Sequence, residues 1–411
     1  MKSNDSISAE FFIDNRARLR KLFPGKAPII LTGNYLLQKS ADIAYPFVQD
    51  SNFWYLTGLE EPGLSFVIDN DKEYIILPPY NKGRENFDGK IDIEMLKHNS
   101  GIPEVYDYDE GWKILGKKIS KVKHVATISP ASDYIEPILM FTSPSRKKLI
   151  EKIKSYNEQL DLIDLKPHLI NLRSQKSELE LRFIKSAIND TARLYKVFQK
   201  KLKDAKNETD LRTSALVFMA KNQLEFAYEP IIGSGINAVT VHYIKNNSPI
   251  SDEDLILIDA ATKYGKYCAD ITRTVSKNPS KRQIAVYQAV LDVQEFAISL
   301  LKPGILLHDY EEEVCKFMGE KLRELGLIKT IDTESVRQYY PYLTSHFLGI
   351  DTHDAGDHDA PLLPGMVLTV EPGIHIAEEK IGVRLEDIVL ITENGNEILS
   401  SKIIKDIAKF A

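Results

Sequence analysis

Six of the nine histidines in this sequence fall between residues 242 and 375, among them His242, His346, His353, His358 and His375. Four carboxylates in the same half, Asp259, Asp270, Glu371 and Glu386, sit at the ends of apolar runs. Taken singly, an acid that closes a strand is a turn residue and a histidine is a satisfied packing group. The spacing argues for more. The runs ending at Asp259 and starting at Asp270 flank Lys-Tyr-Gly-Lys at 263–266, a hairpin-turn sequence with glycine in its second central place. With Tyr264-Gly265 as the two-residue loop, Asp259 and Asp270 are directly opposed on one face, Cβ atoms ~4.5–5.5 Å apart. Glu371 and Glu386 flank a second turn at 377–380 and oppose each other if it centres between Glu378 and Glu379. There, Pro372-Gly373 is expected to insert a bulge and loosen the register.

Like charges so placed repel, and a cation is the direct relief. Four carboxylates with one histidine nitrogen favour hard or borderline divalent ions, and a shared carboxylate oxygen bridges two of them. Metals ~3.5–4 Å apart activate a water and hold the oxygen that gains charge as an amide is attacked. Solvated strand-end acids would leave the pairing in both hairpins without a reason.

The elements that must position these groups are legible in outline. Apolar runs at 27–32, 65–69 and 73–77 read as buried strands, and 85–98 and 143–162 read as helices, an α/β pattern. A boundary falls near 166–177, where Lys166-Pro-His breaks the preceding pattern, which gives an N-terminal α/β domain at 1–172 and a catalytic domain at 173–411. Ser177 is a suitable N-cap, with Glu178 and Glu180 in the first turn of a helix reaching about residue 200. A second helix is predicted at 208–222, a strand- and glycine-rich stretch at 231–275, two more helices at 282–300 and 310–325, and closing strands at 367–399. Helices and strands do not alternate regularly here, so this half reads as α+β.

Composition narrows the function classes. The 411 residues are 43% hydrophobic and 27% charged, the balance of a soluble chain with room for two domains. With 53 basic against 59 acidic side chains the formal net charge is -6, so nothing points to a nucleic-acid binder. Cys268 and Cys315 are the only cysteines, which fits a reducing compartment and excludes a cysteine-based zinc framework. The first fifteen residues lack the apolar segment of a secretory signal, and no apolar run approaches the ~18–20 residues that span a bilayer. The expectation is a cytoplasmic protein with no membrane partner.

Several segments together resemble the creatinase/aminopeptidase P/prolidase family, the pita-bread metallopeptidases. LILIDAATKYGKYCADITRTVS at 255–276 is similar to its first ligand hairpin, SHFLGIDTHD at 345–354 to its histidine segment, and PGMVLTVEPGI at 364–374 with GVRLED at 382–387 to its two glutamate segments. FVQDSNFWYLTGLEEPG at 47–63 resembles the aminopeptidase P version of the N-terminal domain, so the likeness covers nearly the whole chain. The resemblance implies an α+β pita-bread catalytic domain behind a smaller α/β domain, and an Xaa-Pro aminopeptidase activity on peptides with a penultimate proline. It also implies two divalent ions, Mn²⁺ first with Co²⁺ or Zn²⁺ accepted by the same ligands, and a homodimer or larger homo-oligomer. Asp259 would chelate one metal, Asp270 and Glu386 would bridge both, and His346 and Glu371 would complete the other. Glu371 would also be the general base toward the attacking water. His353 would stabilise the tetrahedral intermediate, with His242 as a second such group, and Arg384 would support the charge of the site. A prolidase confined to Xaa-Pro dipeptides is the alternative enzyme. A catalytically silent peptide- or partner-binding member, or creatinase-type metal-free hydrolysis, would be expected to lack ligands that are all present here.

Departures from the family pattern are local. Tyr342 and Leu343 stand where the family usually has His-Gly before the ligand histidine, and Thr352 stands for Ile or Val before His353. His375 stands where Tyr usually follows Glu-Pro-Gly-Leu/Ile. Tyr342 is a candidate for the wall of the proline pocket. His358 and His375 match no family role and read as loop or rim residues, and Cys268 as a small buried hydrophobe. Trp54 reads as core, or as a loop residue facing a neighbouring subunit's cleft.

Overall fold

The computed structural model describes residues 7–23, 25–70 and 72–407; residues 1–6 of the N-terminal segment read against a secretory signal lie outside them. The chain divides into two compact units, one ending at Leu172 and the other beginning at Arg173. Among the described residues no helix is long and apolar enough to cross a membrane.

The N-terminal unit is built on a six-stranded mixed sheet in the order Asp161–Asp164, His124–Thr127, Ile29–Thr32, Ser65–Asp69, Lys72–Ile76, Glu104–Tyr106. Trp112, Leu115 and Ile119 of the helix Tyr108–Ile119 pack on its apolar face with Val67, Ile76 and Val125. Trp54, on the helix Ser51–Thr57, is 5% exposed and stands edge-on to Phe12, so it belongs to the core of its own unit. Two expected helices are shorter than their periodicity. The stretch 85–98 splits into Lys82–Asp88 and Ile93–Ser100, because Gly89 takes a left-handed φ of 88° and Asp92 caps a new first turn. The helix expected over 143–162 covers Ser145–Lys154 only; the chain then turns into the edge strand Asp161–Asp164. Where Lys166-Pro-His was read as a break, the helix Lys166–Ser174 begins, its proline in the first turn, where no N–H is needed.

In the second unit Ser177 caps the helix Glu178–Leu202 through a reciprocal capping box with Glu180. Ile184, Leu194 and Phe198 of its inner face are fully buried, each contributing about 1.5–3 kcal/mol over exposure. This helix, paired with Glu208–Asn222, packs on the first hairpin, and the Tyr195 hydroxyl lies 2.8 and 2.7 Å from the Ile258 and Ile271 carbonyls of its two arms. The helix Lys281–Leu300 packs on the second hairpin, and Leu307–Glu324 packs on that helix, all in one core with Val286, Val290, Val293, Val314 and Met318.

Register decides where the acids face. In the first hairpin Ile256–Asp259 pairs with Thr272–Val275, and Thr262–Tyr264 with Tyr267–Cys268. The loop is Gly265-Lys266, not Tyr264-Gly265, with φ of 53° and 76° as a primed turn requires. Asp259 therefore faces Thr272. Asp270 is two positions along the same arm, and side chains alternate with period two, so both acids still share a face. In the second hairpin Val370 pairs with Asp387 and Gly373 with Arg384, one continuous register that sets Glu371 across from Glu386. The bulge expected at Pro372-Gly373 is absent: the Pro372 carbonyl keeps the ladder by accepting from the Leu385 N–H at 3.3 Å.

Candidate metal centre

The two hairpins dock through three consecutive residues of the first. The Thr272 carbonyl accepts from the Glu386 N–H at 3.1 Å and the Thr272 hydroxyl donates to Glu386 Oε2 at 2.8 Å. Buried Arg273 reaches Asp387 at 2.8 Å, and the Thr274 hydroxyl donates to the Arg384 carbonyl at 3.0 Å. This docking brings all four acids to one place.

Donor atoms of Asp270, His346 and Glu386 lie within 4.8 Å of one another. His346 Nε2 stands 3.4 Å from Asp270 Oδ2 and 3.3 Å from Glu371 Oε1. Its Nδ1 is 3.0 Å from the Phe347 carbonyl, which can only accept, so Nδ1 carries a proton and Nε2 is the nitrogen turned to the acids, able to hold a metal once it gives up its own proton. Asp259 completes the group from the other side, held by Arg384 at 2.5 Å and by the Tyr228 hydroxyl.

The electrostatics match a cation site. Burial, then repulsion from Asp270 against the pull of Arg384, pushes Asp259 up to about 7. Burial and the charges of Asp270, Glu371 and Asp259 push Glu386 well above the carboxylate range. His346 is driven well above its ordinary value: burial opposes the charge, but hydrogen bonds to Asp270 and Glu371 outweigh it. Buried acids that resist ionising together, set around an imidazole whose Nε2 they share, form a donor set that fits divalent ions, which would displace that proton.

The other expected site residues divide. The His353 ring lies 4.3 Å from that of His346, and burial together with the His346 charge lowers its pKa, which keeps the imidazole neutral. His242 is not on an apolar strand; it is an exposed turn residue just beyond the 3-10 helix Gly235–Val239, with an electrostatic influence on His353. His358 is an exposed loop residue edge-on to Phe347 and lines a cavity of about 630 Å³ beside Leu343 and Cys315, to which no candidate ligand contributes. His375 is no rim residue: it is 5% exposed on the strand Gly373–Ile376, and burial with the Arg384 charge lowers its pKa to about 4. Cys268 is buried, its thiol pushed up to about 12 by burial, as expected of a packing residue. Sequence reasoning missed Tyr228 and Thr272. Tyr228 carries no periodic or motif signal, whereas Thr272 follows directly once the turn is placed at Gly265-Lys266.

Buried charge also fixes the loop that carries His353. Asp354 is paired with Arg173 and, at 3.0 Å, with Lys176, and its N–H donates to the Phe347 carbonyl at 2.9 Å. Cys268 N–H donates to the Gly349 carbonyl at 2.7 Å, tying the same loop to the first hairpin.

Comparison with known proteins gives a consistent result. Residues 182–393 match metallopeptidase family M24, and residues 12–127 match the aminopeptidase P N-terminal domain. The Xaa-Pro aminopeptidase of Haemophilus influenzae is 31% identical, over 98% of this chain and 96% of its own. Aminopeptidase P from Escherichia coli superposes with a TM-score of 0.84 at 28% identity, covering 98% of each chain. The same enzyme with the inhibitor Pro-Leu superposes with a TM-score of 0.84 at 27% identity, again over 98% of each chain.

Proposed function

The chain belongs to metallopeptidase family M24, with an aminopeptidase P-type N-terminal domain before a pita-bread catalytic domain, and on that premise we propose that it removes the N-terminal residue from peptides whose second residue is proline. The convergence of Asp270, His346 and Glu386 carries this reading. Asp259, Asp270, His346, Glu371 and Glu386 would hold two divalent ions, with Mn²⁺ the expected working ion. Such ions supply Lewis acidity for a scissile carbonyl and make water a nucleophile at neutral pH.

This chain's own groups do the rest. Glu371 accepts the proton of the attacking water; Thr369 Oγ1, 3.3 Å from its Oε1, orients it. His353, neutral at its site beside His346, donates an N–H to the carbonyl oxygen as that oxygen gains charge. His242 supplies a second donor from its turn. Arg384, bonded to Asp259 and Thr272, holds the acid in place. An Xaa-Pro bond has no N–H and a fixed φ, so a site that asks for neither is selective for it. Binding of Pro-Leu by the Escherichia coli relative supports a pocket that takes proline on the leaving side.

The test is hydrolysis of Xaa-Pro and Xaa-Pro-Xaa peptides by metal-stripped protein reloaded with Mn²⁺, Co²⁺ or Zn²⁺, with elemental analysis of each form. Cleavage of the longer peptides with two ions per chain is expected. Cleavage of dipeptides alone would make it a prolidase, and uptake of no ion would overturn the metal-centre reading.

A further inference from the structure

Tyr342 and His375, the two departures from the family pattern nearest the site, touch each other. The His375 ring is in T-shaped contact with Tyr342 at 5.7 Å, and its Nε2 is 3.2 Å from the Tyr342 hydroxyl. On its other side Nδ1 is 3.2 Å from the Ala238 carbonyl oxygen. A carbonyl can only accept, so Nδ1 holds the single proton of this neutral imidazole, Nε2 accepts, and the Tyr342 O–H is the donor. Every direction in the pair is thereby set.

Both ends of the pair reach the site. The Arg384 guanidinium lies over the Tyr342 ring, 5.9 Å from its centroid, and also binds Asp259 at 2.5 Å and Thr272 at 3.1 Å. Ala238 belongs to the 3-10 helix Gly235–Val239, directly before the turn of His242. Behind Tyr342 the backbone is clamped: Arg337 donates to its carbonyl and Glu311 accepts from the Thr344 N–H at 2.9 Å. In front, the strands leave room for it. A Cβ on Gly373 would collide with the Tyr342 hydroxyl, and one on Gly382 would collide with the Ala238 carbonyl.

We propose that Tyr342 and His375 are a positioning pair that ties Arg384 and Asp259 to the turn carrying His242. The role of His242 rests on the peptidase reading above; the pair itself does not. The two departures are then one exchange. With histidine at 342 and tyrosine at 375, an imidazole N–H would donate to the phenol and the phenol to the Ala238 carbonyl, so both ends stay satisfied.

Tyr342→Phe, Gly382→Ala and the double exchange Tyr342→His/His375→Tyr test this, read by kcat, KM, metal content and ¹⁵N NMR of labelled histidines. The wild-type spectrum is expected to show His375 as the Nδ1–H tautomer, a result independent of hydrolysis. Tyr342→Phe and Gly382→Ala are expected to lower kcat about 10–100-fold, the usual range for groups that orient a metal site, with KM and metal content little changed. The double exchange recovers most of the loss that Tyr342→His alone inflicts. An Nε2–H tautomer in the wild type, unchanged kcat in Tyr342→Phe, or a double exchange no better than the single would each overturn the pair. If no Xaa-Pro peptide is cleaved, the function falls, and the tautomer still decides the pair.

Discussion

The two hairpins bring equal numbers of carboxylates to the centre but handle their charge differently. In the first, Asp259 is met by the protein itself, by Arg384 at 2.5 Å and the Tyr228 hydroxyl. In the second, Glu386 has the Thr272 hydroxyl and, among the described residues, no cation within ion-pair distance. Asp270 and Glu371 share only His346. The outer acid already has protein partners for its charge, while the inner acids crowd one imidazole, and there the proposed ions would relieve most repulsion. That division explains why a buried cluster is tolerated: a lone buried charge costs several kcal/mol unless a partner meets it.

The sharpest way to break this comparison is to remove an inner acid from each hairpin. Asp270→Ala and Glu386→Ala are each expected to lower kcat/KM by more than ~10³-fold, beyond the loss of one oxyanion donor, with fewer than two ions retained. Elemental analysis beside kinetics checks both; a loss confined to one hairpin would mean that the other contributes no ligand. Next in size is His353→Ala, which leaves the inner acids untouched and should keep two ions while kcat falls ~10²–10³-fold. Near-normal turnover would leave His242 as the sole donor.

Tyr228→Phe probes the outer acid and should cost about 10–100-fold in metal affinity or activity, less than either inner acid. An effect as large as that of Asp270→Ala would erase the distinction between outer and inner. A smaller signal lies in pH. A carboxyl with a raised folded pKa resists ionisation in the fold, so the metal-free protein loses stability as pH climbs from 3.8, the ordinary value for Asp259, toward about 7. The rise in Tm on adding Mn²⁺ should therefore grow across that window; a pH-independent rise would argue against clustered acids. Cys268→Ala lies between the two acids of the first hairpin in sequence and should change neither ion content nor kcat by more than about twofold, since it removes only a small buried group and a weak thiol bond to the Ile350 carbonyl.

The acids were legible in the sequence because strand alternation places every second side chain on one face, whatever the turn. That is why Asp259 and Asp270 stayed together although their loop slid to Gly265-Lys266: both central residues needed positive φ, and Tyr-Gly-Lys does not announce which pair supplies it. Glu371 and Glu386 came out as read, even without the bulge, since a proline between ladder positions leaves its carbonyl free to bond. Tyr228 and the burial of His375 were not legible, for a common reason. Both depend on which distant segment packs against them, and a partner 31 residues away, as Asp259 is from Tyr228, or 137 away, as Ala238 is from His375, writes nothing into local periodicity. The helix at 85–98 was overdrawn because apolar spacing persists past the capping Asp92 and the positive-φ Gly89, and that at 143–162 because its apolar spacing runs on into the edge strand Asp161–Asp164.

The docking of Thr272 against Glu386 also has a consequence in time. Each hairpin closes over a short loop and can form as soon as it is made, but the proposed ion ligands come from both. At about 5–20 residues per second the second hairpin follows the first from the ribosome by roughly 10 s. A nascent chain that has reached Val275 holds Asp259 and Asp270 without Glu371, Glu386 or His346. During that interval it has half a coordination sphere and its own repelling charges. With that ligand set, ion capture would report finished synthesis, and truncated chains should emerge without metal, open to proteolysis at the unpaired face of the first hairpin.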